Sequence, residues 1–238
     1  MRGPYGFEMN ENCQACKLRK DGFFCQLEAT ALKDFDTVKA SSVYPEGAVL
    51  FMEKQDPRGV FILCEGQVKL SMCSSDGKML IVRIAKPGEV LGLAAVVGGT
   101  SYEVTAETLR PSQVVFIRRD DFQHFIARHP EAYRNIVKQM AATYDGACEQ
   151  LRTVGLSASA SERLAKVLLG WCQGAEQTKS GTRIIMPLTH QEIGEFIGSS
   201  RETVTRTFSE FKSRHLVALK GSAVTIPNRA ALEQLAGV

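Results

Sequence analysis

Between about residue 35 and residue 118, short apolar runs alternate with turn signals. The runs are 48–52, 60–63, 68–71, 80–84 and 114–117, and Gly and Pro punctuate them at Pro45-Glu46-Gly47, Asp56-Pro57-Arg58-Gly59, Glu65-Gly66, Asp76-Gly77, Pro87-Gly88 and Arg110-Pro111. Regularly spaced short strands with such turns predict a β-sandwich or β-roll. The period then changes. Pro130 stands where a helix can begin, and Tyr133, Ile136, Val137, Met140, Tyr144, Ala147, Leu151 and Val154 recur at steps of three and four, predicting one long helix over 130–155. Such a stripe fits a helix packed on its own domain or one paired with a second helix. Gly146 costs that helix about 1 kcal/mol relative to Ala, so a local irregularity is expected there. Residues 155–161, Gly-Leu-Ser-Ala-Ser-Ala-Ser, read as a hinge. Ser159 with Glu162 caps a following helix that carries Leu164, Val167, Leu168 and Trp171.

Residues 189–206 predict two short helices and a tight turn. Thr189 with Glu192, and Ser199 with Glu202, each read as a capping box, and Gly198 closes the first helix. Ile193, Phe196 and Ile197 point inward from the first helix and Val204, Phe208 and Phe211 from the second. Arg201, Glu202, Thr205 and Arg206 are left on the outer face. This is the pattern of a helix-turn-helix whose second helix reads bases. An Arg fork matches guanine O6 and N7, and Glu accepts from the cytosine amino group. A plainer reading makes Glu202 and Arg206 an i,i+4 ion pair on a surface helix. Runs 216–219 and 223–226 around Lys220-Gly221-Ser222 add a hairpin, or wing, after the second helix.

Composition narrows the class without deciding it. The 238 residues suffice for two domains, and 44% hydrophobic with 23% charged residues is ordinary for a soluble protein. There is no run of 18 apolar residues and no hydrophobic signal core after Met1-Arg2-Gly3-Pro4-Tyr5. Neither a membrane span nor export is supported, and a cytoplasmic protein is expected. A net charge of +3 is too small to argue for DNA by itself. The local excess is more telling: Arg201, Arg206, Lys212, Arg214 and Lys220 outnumber Glu202 and Glu210 around the second helix. No nucleophile elbow, P-loop or HExxH pattern appears, so no enzyme is expected.

The segment from Leu188 through Arg206 closely resembles the winged helix-turn-helix of the Crp/Fnr superfamily. Gly66 to Leu70 and Pro87-Gly88-Glu89 resemble that family's effector domain. The resemblance covers almost the whole chain and implies an α+β fold. Its parts would be an N-terminal Cys-containing segment (1–30), a double-stranded β-roll of the cyclic-nucleotide-binding type (31–129), a dimerisation helix (130–155) and a winged helix-turn-helix (156–238). Arg201, Glu202 and Arg206 fall where the cAMP receptor protein type carries its base-reading residues. The resemblance therefore implies a homodimer on palindromic double-stranded DNA with TGTGA-like half-sites, working with RNA polymerase. Thr189, Gln191, Ser200 and Thr203 match family positions that touch the phosphate backbone, which set register rather than sequence preference.

The signal is less plain. The cAMP branch uses a Gly-Glu pair and a later Arg-Ser pair. Here Leu93 follows Gly92, and no Arg occurs between Arg83 and Arg110. A cyclic phosphate would lack its charge-assisted guanidinium contact, so cAMP and cGMP are not expected. Cys13, Cys16 and Cys25 form C-x2-C-x8-C, similar to three of the four iron–sulfur ligands of the oxygen-sensing branch and able to converge on a 4Fe-4S cluster. That branch spaces its second and third Cys more closely and takes its fourth just before the dimer helix, where this chain has no Cys from 74 to 147. A fourth ligand would come from Cys64, Cys73, Cys148, an oxygen such as that of Asp21, or a small molecule. Cys64, Cys148 and Cys172 also fit buried structural thiols. Zinc, reversible thiol oxidation, or no sensing role for the trio are the other readings, as is an unidentified effector in the β-roll. Lys17, Arg19 and Lys20 are expected to lower nearby thiol pKa values. The four His are scattered without ligand spacing. A cyclic-nucleotide or thiol-redox module without promoter recognition is the competing class.

Overall fold

The computed structural model describes residues 4–6, 13–16 and 25–237. The chain divides into two compact units, 1–147 and 148–238.

The first unit runs α1 (Ala29–Val38), β1 (Ala40–Tyr44), β2 (Val49–Phe51), β3 (Gly59–Glu65), β4 (Val68–Cys73), β5 (Met79–Ala85), β6 (Val90–Leu91), α2 (Leu93–Gly98), β7 (Thr105–Thr108), β8 (Ser112–Arg118) and α3 (Arg119–Arg128). It then enters α4 (Glu131–Leu156), which continues into the second unit. Two antiparallel four-stranded sheets, β1-β8-β3-β6 and β2-β7-β4-β5, make the double-stranded β-roll. The runs expected at 60–63, 68–71, 80–84 and 114–117 lie in β3, β4, β5 and β8, and β2 takes up the central three residues of the run 48–52.

Strand β3 explains why its sequence is almost continuously apolar. Side chains alternate across a strand, and here both faces are buried. Phe61 and Leu63 pack between the sheets with Phe51, Leu70, Tyr102 and Val114. Val60 and Ile62 pack with Leu32 and Phe35 of α1 and Phe122 and Phe125 of α3. Leu63 pairs with Val114 and Glu65 with Gln113, so Cys64 is the extra residue of a β-bulge. Tyr102 ties the roll together: its hydroxyl donates to the Gly59 carbonyl at 2.7 Å, and its ring stacks on Phe51 at 4.0 Å.

Helix α4 runs through Gly146 without interruption and includes Gly155 and Leu156. Of the run 155–161 expected to be a hinge, 155 and 156 belong to α4 and 160 and 161 to α5, so only 157–159 are non-helical. On this helix Ile136 is buried, while Val137, Tyr144 and Leu151 are 65%, 70% and 71% exposed.

The second unit contains α5 (Ala160–Trp171), β9 (Glu176–Thr178), β10 (Gly181–Ile185), α6 (His190–Ile197), α7 (Arg201–Ser213), β11 (Ala218–Lys220), β12 (Ala223–Ile226) and α8 (Arg229–Ala236). Its sheet has the order β11-β12-β10-β9. The wing hairpin β11–β12 turns through Gly221 and Ser222, with Gly221 at φ +59°, and β12 also pairs with β10. Leu164, Leu168, Ile193, Ile197, Val204, Phe208, Phe211, Val224 and Leu232 are buried in this unit.

Among the described residues, no helix is long and apolar enough to cross a membrane.

Candidate nucleic-acid interface and thiol chamber

Two caps and one glycine fix the helix-turn-helix. The Thr189 hydroxyl accepts from the Glu192 amide at 3.3 Å while the Glu192 carboxylate accepts from the Thr189 amide at 2.9 Å, a complete capping box. Gly198 ends α6 in the left-handed region at φ +63°, as a helix C-terminus favours. At Gly194 the turn passes so closely that an added Cβ would sit 2.8 Å from the Ser199 carbonyl oxygen. The second cap differs from the expectation. Ser200, not Ser199, is the N-cap of α7, and its hydroxyl accepts from the Thr203 amide at 3.2 Å. Ser199 met the Ser-x-x-Glu pattern with Glu202, whereas Ser200 has Thr203 at that spacing and caps with its hydroxyl alone; the Ser199 amide is bonded to the Gly194 carbonyl at 2.8 Å. Ser159 caps α5, accepting from the Glu162 amide, but the Glu162 carboxylate reaches back to the Ala158 amide rather than to that of Ser159.

Helix α7 buries Val204, Thr207, Phe208 and Phe211 and exposes Arg201, Glu202, Thr205 and Arg206 on the opposite face. Phe196 on α6 is only half-buried, with its carbonyl accepting from Gln150 Nε2 at 2.6 Å. The Glu202 carboxyl is held below the usual range by its own backbone amide and the Ser200 hydroxyl, so it presents an acceptor. The Thr205 hydroxyl donates to the Arg201 carbonyl at 3.0 Å. Gln191 is exposed and donates to Glu195 at 3.0 Å. Thr189, Ser200 and Thr203 all have hydroxyls engaged in the helix caps.

His190 was not singled out from the sequence. It opens α6, stacks on Phe208 with ring centroids 4.9 Å apart, and its Nδ1 lies 3.0 Å from Thr205 Oγ1. Burial, then the nearby Arg201 charge, lowers the His190 pKa from 6.5.

In the first unit the structure brings together cysteines that are far apart in sequence. Cys13, Cys16, Cys25 and Cys64 line one small chamber with Leu32, Phe35, Ile62 and Val115. Lys39 Nζ donates to Cys13 Sγ at 3.1 Å and to Asp36 at 2.5 Å. Lys17, Arg19, Lys20 and Asp21 lie outside the described residues. The expected lowering of the thiol pKa values does not hold where burial dominates. Desolvation pushes Cys25 up to about 12, and the Cys16 and Cys13 thiolates add to it. Cys64 is also pushed to about 12 by burial and then by the other three sulfurs. Cys13 is raised by burial despite the opposing hydrogen bond from Lys39. Elsewhere, Cys73 is exposed at the end of β4, Cys148 lies on α4, and Cys172 is buried with its thiol on the Leu168 carbonyl.

A separate cavity of about 320 Å³ opens beside α4, lined among others by Leu70, Val82, Leu91, Met140 and Tyr144. Gly92 turns here at φ +73°, and Leu93 is buried in the core. Arg83, which lines the cavity, is paired with Glu89.

Comparison with known proteins fits this architecture. Residues 162–235 match the Crp-like helix-turn-helix domain and residues 42–129 the cyclic nucleotide-binding domain. The nitrogen fixation regulation protein FixK of Bradyrhizobium diazoefficiens is 25% identical over 94% of this chain and 93% of its own. The transcriptional activatory protein AadR of Rhodopseudomonas palustris is 26% identical over 97% of this chain and 94% of its own. In fold, the structure of FixK2 from Bradyrhizobium japonicum superposes with a TM-score of 0.73 at 23% identity, covering 83% of this chain and 97% of that one. With a β-roll, a long helix and a helix-turn-helix in that order, the chain belongs to the Crp/Fnr superfamily of DNA-binding transcription regulators.

Proposed function

We propose that the protein is a homodimeric, sequence-specific promoter-binding regulator, not an enzyme, controlled through its N-terminal cysteines. The observation that carries the reading is the face of α7. Arg201, Glu202 and Arg206 stand exposed beside one another on a helix held at both ends of the turn. Two Arg forks and a carboxylate acceptor on one face suit guanine and cytosine edges in the major groove. Thr205 lies on the same face, and Thr189, Gln191, Ser200 and Thr203 cluster at the N-termini of the two helices, where phosphate contacts are favoured. Two recognition helices one turn of DNA apart require two-fold symmetry. The exposed row Val137, Tyr144 and Leu151 on α4 offers the seam. In fluorescence anisotropy, a duplex carrying two inverted TGTGA-like half-sites should bind far more tightly than a scrambled one. Equal binding would contradict direct readout.

The donor set of the chamber fits an iron–sulfur group, for which Cys13, Cys16 and Cys25 would serve as thiolate ligands. When bound, such a group supplies oxygen-labile redox chemistry. The chain's part is to hold it in an apolar wall of Leu32, Phe35, Ile62 and Val115 and to place the Lys39 cation against one sulfur. A second reading is supported by the cavity beside α4, whose apolar lining suits a small hydrophobic effector. Cyclic nucleotides fit it poorly, since Leu93 is turned into the core and Arg83 is engaged by Glu89.

A further inference from the structure

We propose that Cys64 is the fourth thiolate of the iron–sulfur site, completing a ligand set with Cys13, Cys16 and Cys25. The proposal rests on the cluster reading above and assigns its missing ligand. It follows from the geometry of β3. Val60 and Ile62 face α1 and α3, and strand alternation carries Cys64 to that same side. Cys64 packs against the same core that Cys13 touches. It is also the bulged residue of the β3–β8 pairing, between the Leu63–Val114 and Glu65–Gln113 pairs. Bulges re-aim a side chain and recur beside functional sites.

The other cysteines do not compete for this place. Cys73, Cys148 and Cys172 are absent from the chamber lining. The chamber wall is otherwise Leu, Phe, Ile and Val, with no carboxylate or imidazole among its lining residues. Among the described residues no group of three Cys, His, Asp or Glu is gathered closely enough to hold a single metal ion. A cubane differs in this respect, because each of its four irons takes one thiolate and the ligands stand apart around it. Lys39, whose side chain is 7% exposed, donates to Cys13 Sγ as well as to Asp36, so one ligand sulfur would carry a charge-assisted hydrogen bond. Such a ligand set would tie the N-terminal segment to the rigid centre of the β-roll sheet.

The test uses the full chain purified under strict anaerobiosis, as wild type and as C64S, C64A, C13S, C73S and C148S. Iron, acid-labile sulfide and zinc per subunit are assayed, with visible and electron paramagnetic resonance spectra. Circular dichroism melts of the metal-free forms report whether each variant folds, and having both Ser and Ala at 64 guards against one of them failing. The expected result is a cluster in wild type, C73S and C148S. C13S, C64S and C64A should lose most of their iron and sulfide or keep only a three-iron cluster. If C13S loses the cluster while folded C64S and C64A keep the wild-type content and spectrum, Cys64 is not a ligand although the cluster reading stands. If wild type carries zinc or no metal, the cluster reading itself falls and takes the assignment with it.

Discussion

Both polar groups of the Val90 backbone end on a single side chain: Gln139 Oε1 accepts the Val90 amide at 2.9 Å, and Gln139 Nε2 donates to the Val90 carbonyl at 2.6 Å. Gln139 is 2% exposed, so this amide acts as a missing strand neighbour for β6 and fastens α4 to the roll.

Gln139→Leu keeps the volume and removes both partners. Each orphaned backbone group should cost about 1–3 kcal/mol. Chemical denaturation of the variant against wild type checks this, and an unchanged midpoint would mean that water replaces the amide.

Arg201→Ala should relax preference at one base pair, at about 1–3 kcal/mol for a lost bidentate contact, while the melting curve stays as in wild type. Binding to a set of single-base operator variants reads this out. A uniform loss across all sequences would instead mark Arg201 as a phosphate contact.

His190 makes the second unit sensitive to acid. Its folded pKa lies below 6.5 because burial, then Arg201, disfavours the imidazolium. The unfolded chain therefore takes up this proton first. The stabilisation is fully present above 6.5 and is lost as the pH falls through the depressed folded value. Denaturation midpoints measured across that window should fall less steeply for His190→Gln than for wild type.

The apolar row on α4 predicts self-association. Val137→Glu with Leu151→Glu sets like charges across a two-fold seam, and light scattering should show the wild-type dimer replaced by a monomer. Operator affinity should drop with it, since one half-site alone remains engaged.

The helix-turn-helix was legible because its information is local. The Thr189 box, Gly198 and the inward apolar positions all lie within a few residues of one another. The cap of α7 was misplaced by one residue, from Ser199 to Ser200, because the Ser-x-x-Glu spacing drew it to Ser199, whose amide instead makes a turn bond to Gly194 that the pattern does not encode. Strands β2, β3, β4, β5 and β8 were legible through Gly and Pro punctuation, whereas β1, β6 and β7 matched none of the expected runs. Helices α1, α3 and α8 and the hairpin β9–β10 are short and were not predicted. The thiol chamber was half legible. The spacing of Cys13, Cys16 and Cys25 drew attention, whereas Cys64 stood as one of several candidate fourth ligands and equally as a core thiol, because its place beside the trio depends on a bulge and a long-range approach. Gln139 left a faint signal, a polar residue three positions after buried Ile136 in an otherwise apolar stripe.

The central claim is that this chain reads a two-fold DNA sequence. Selection from a random duplex library, with the protein both anaerobic and oxidised, tests it most directly. The account predicts enrichment of an inverted repeat whose half-sites are centred about one helical turn, roughly 10 bp, apart. No enriched two-fold motif in either condition would contradict it.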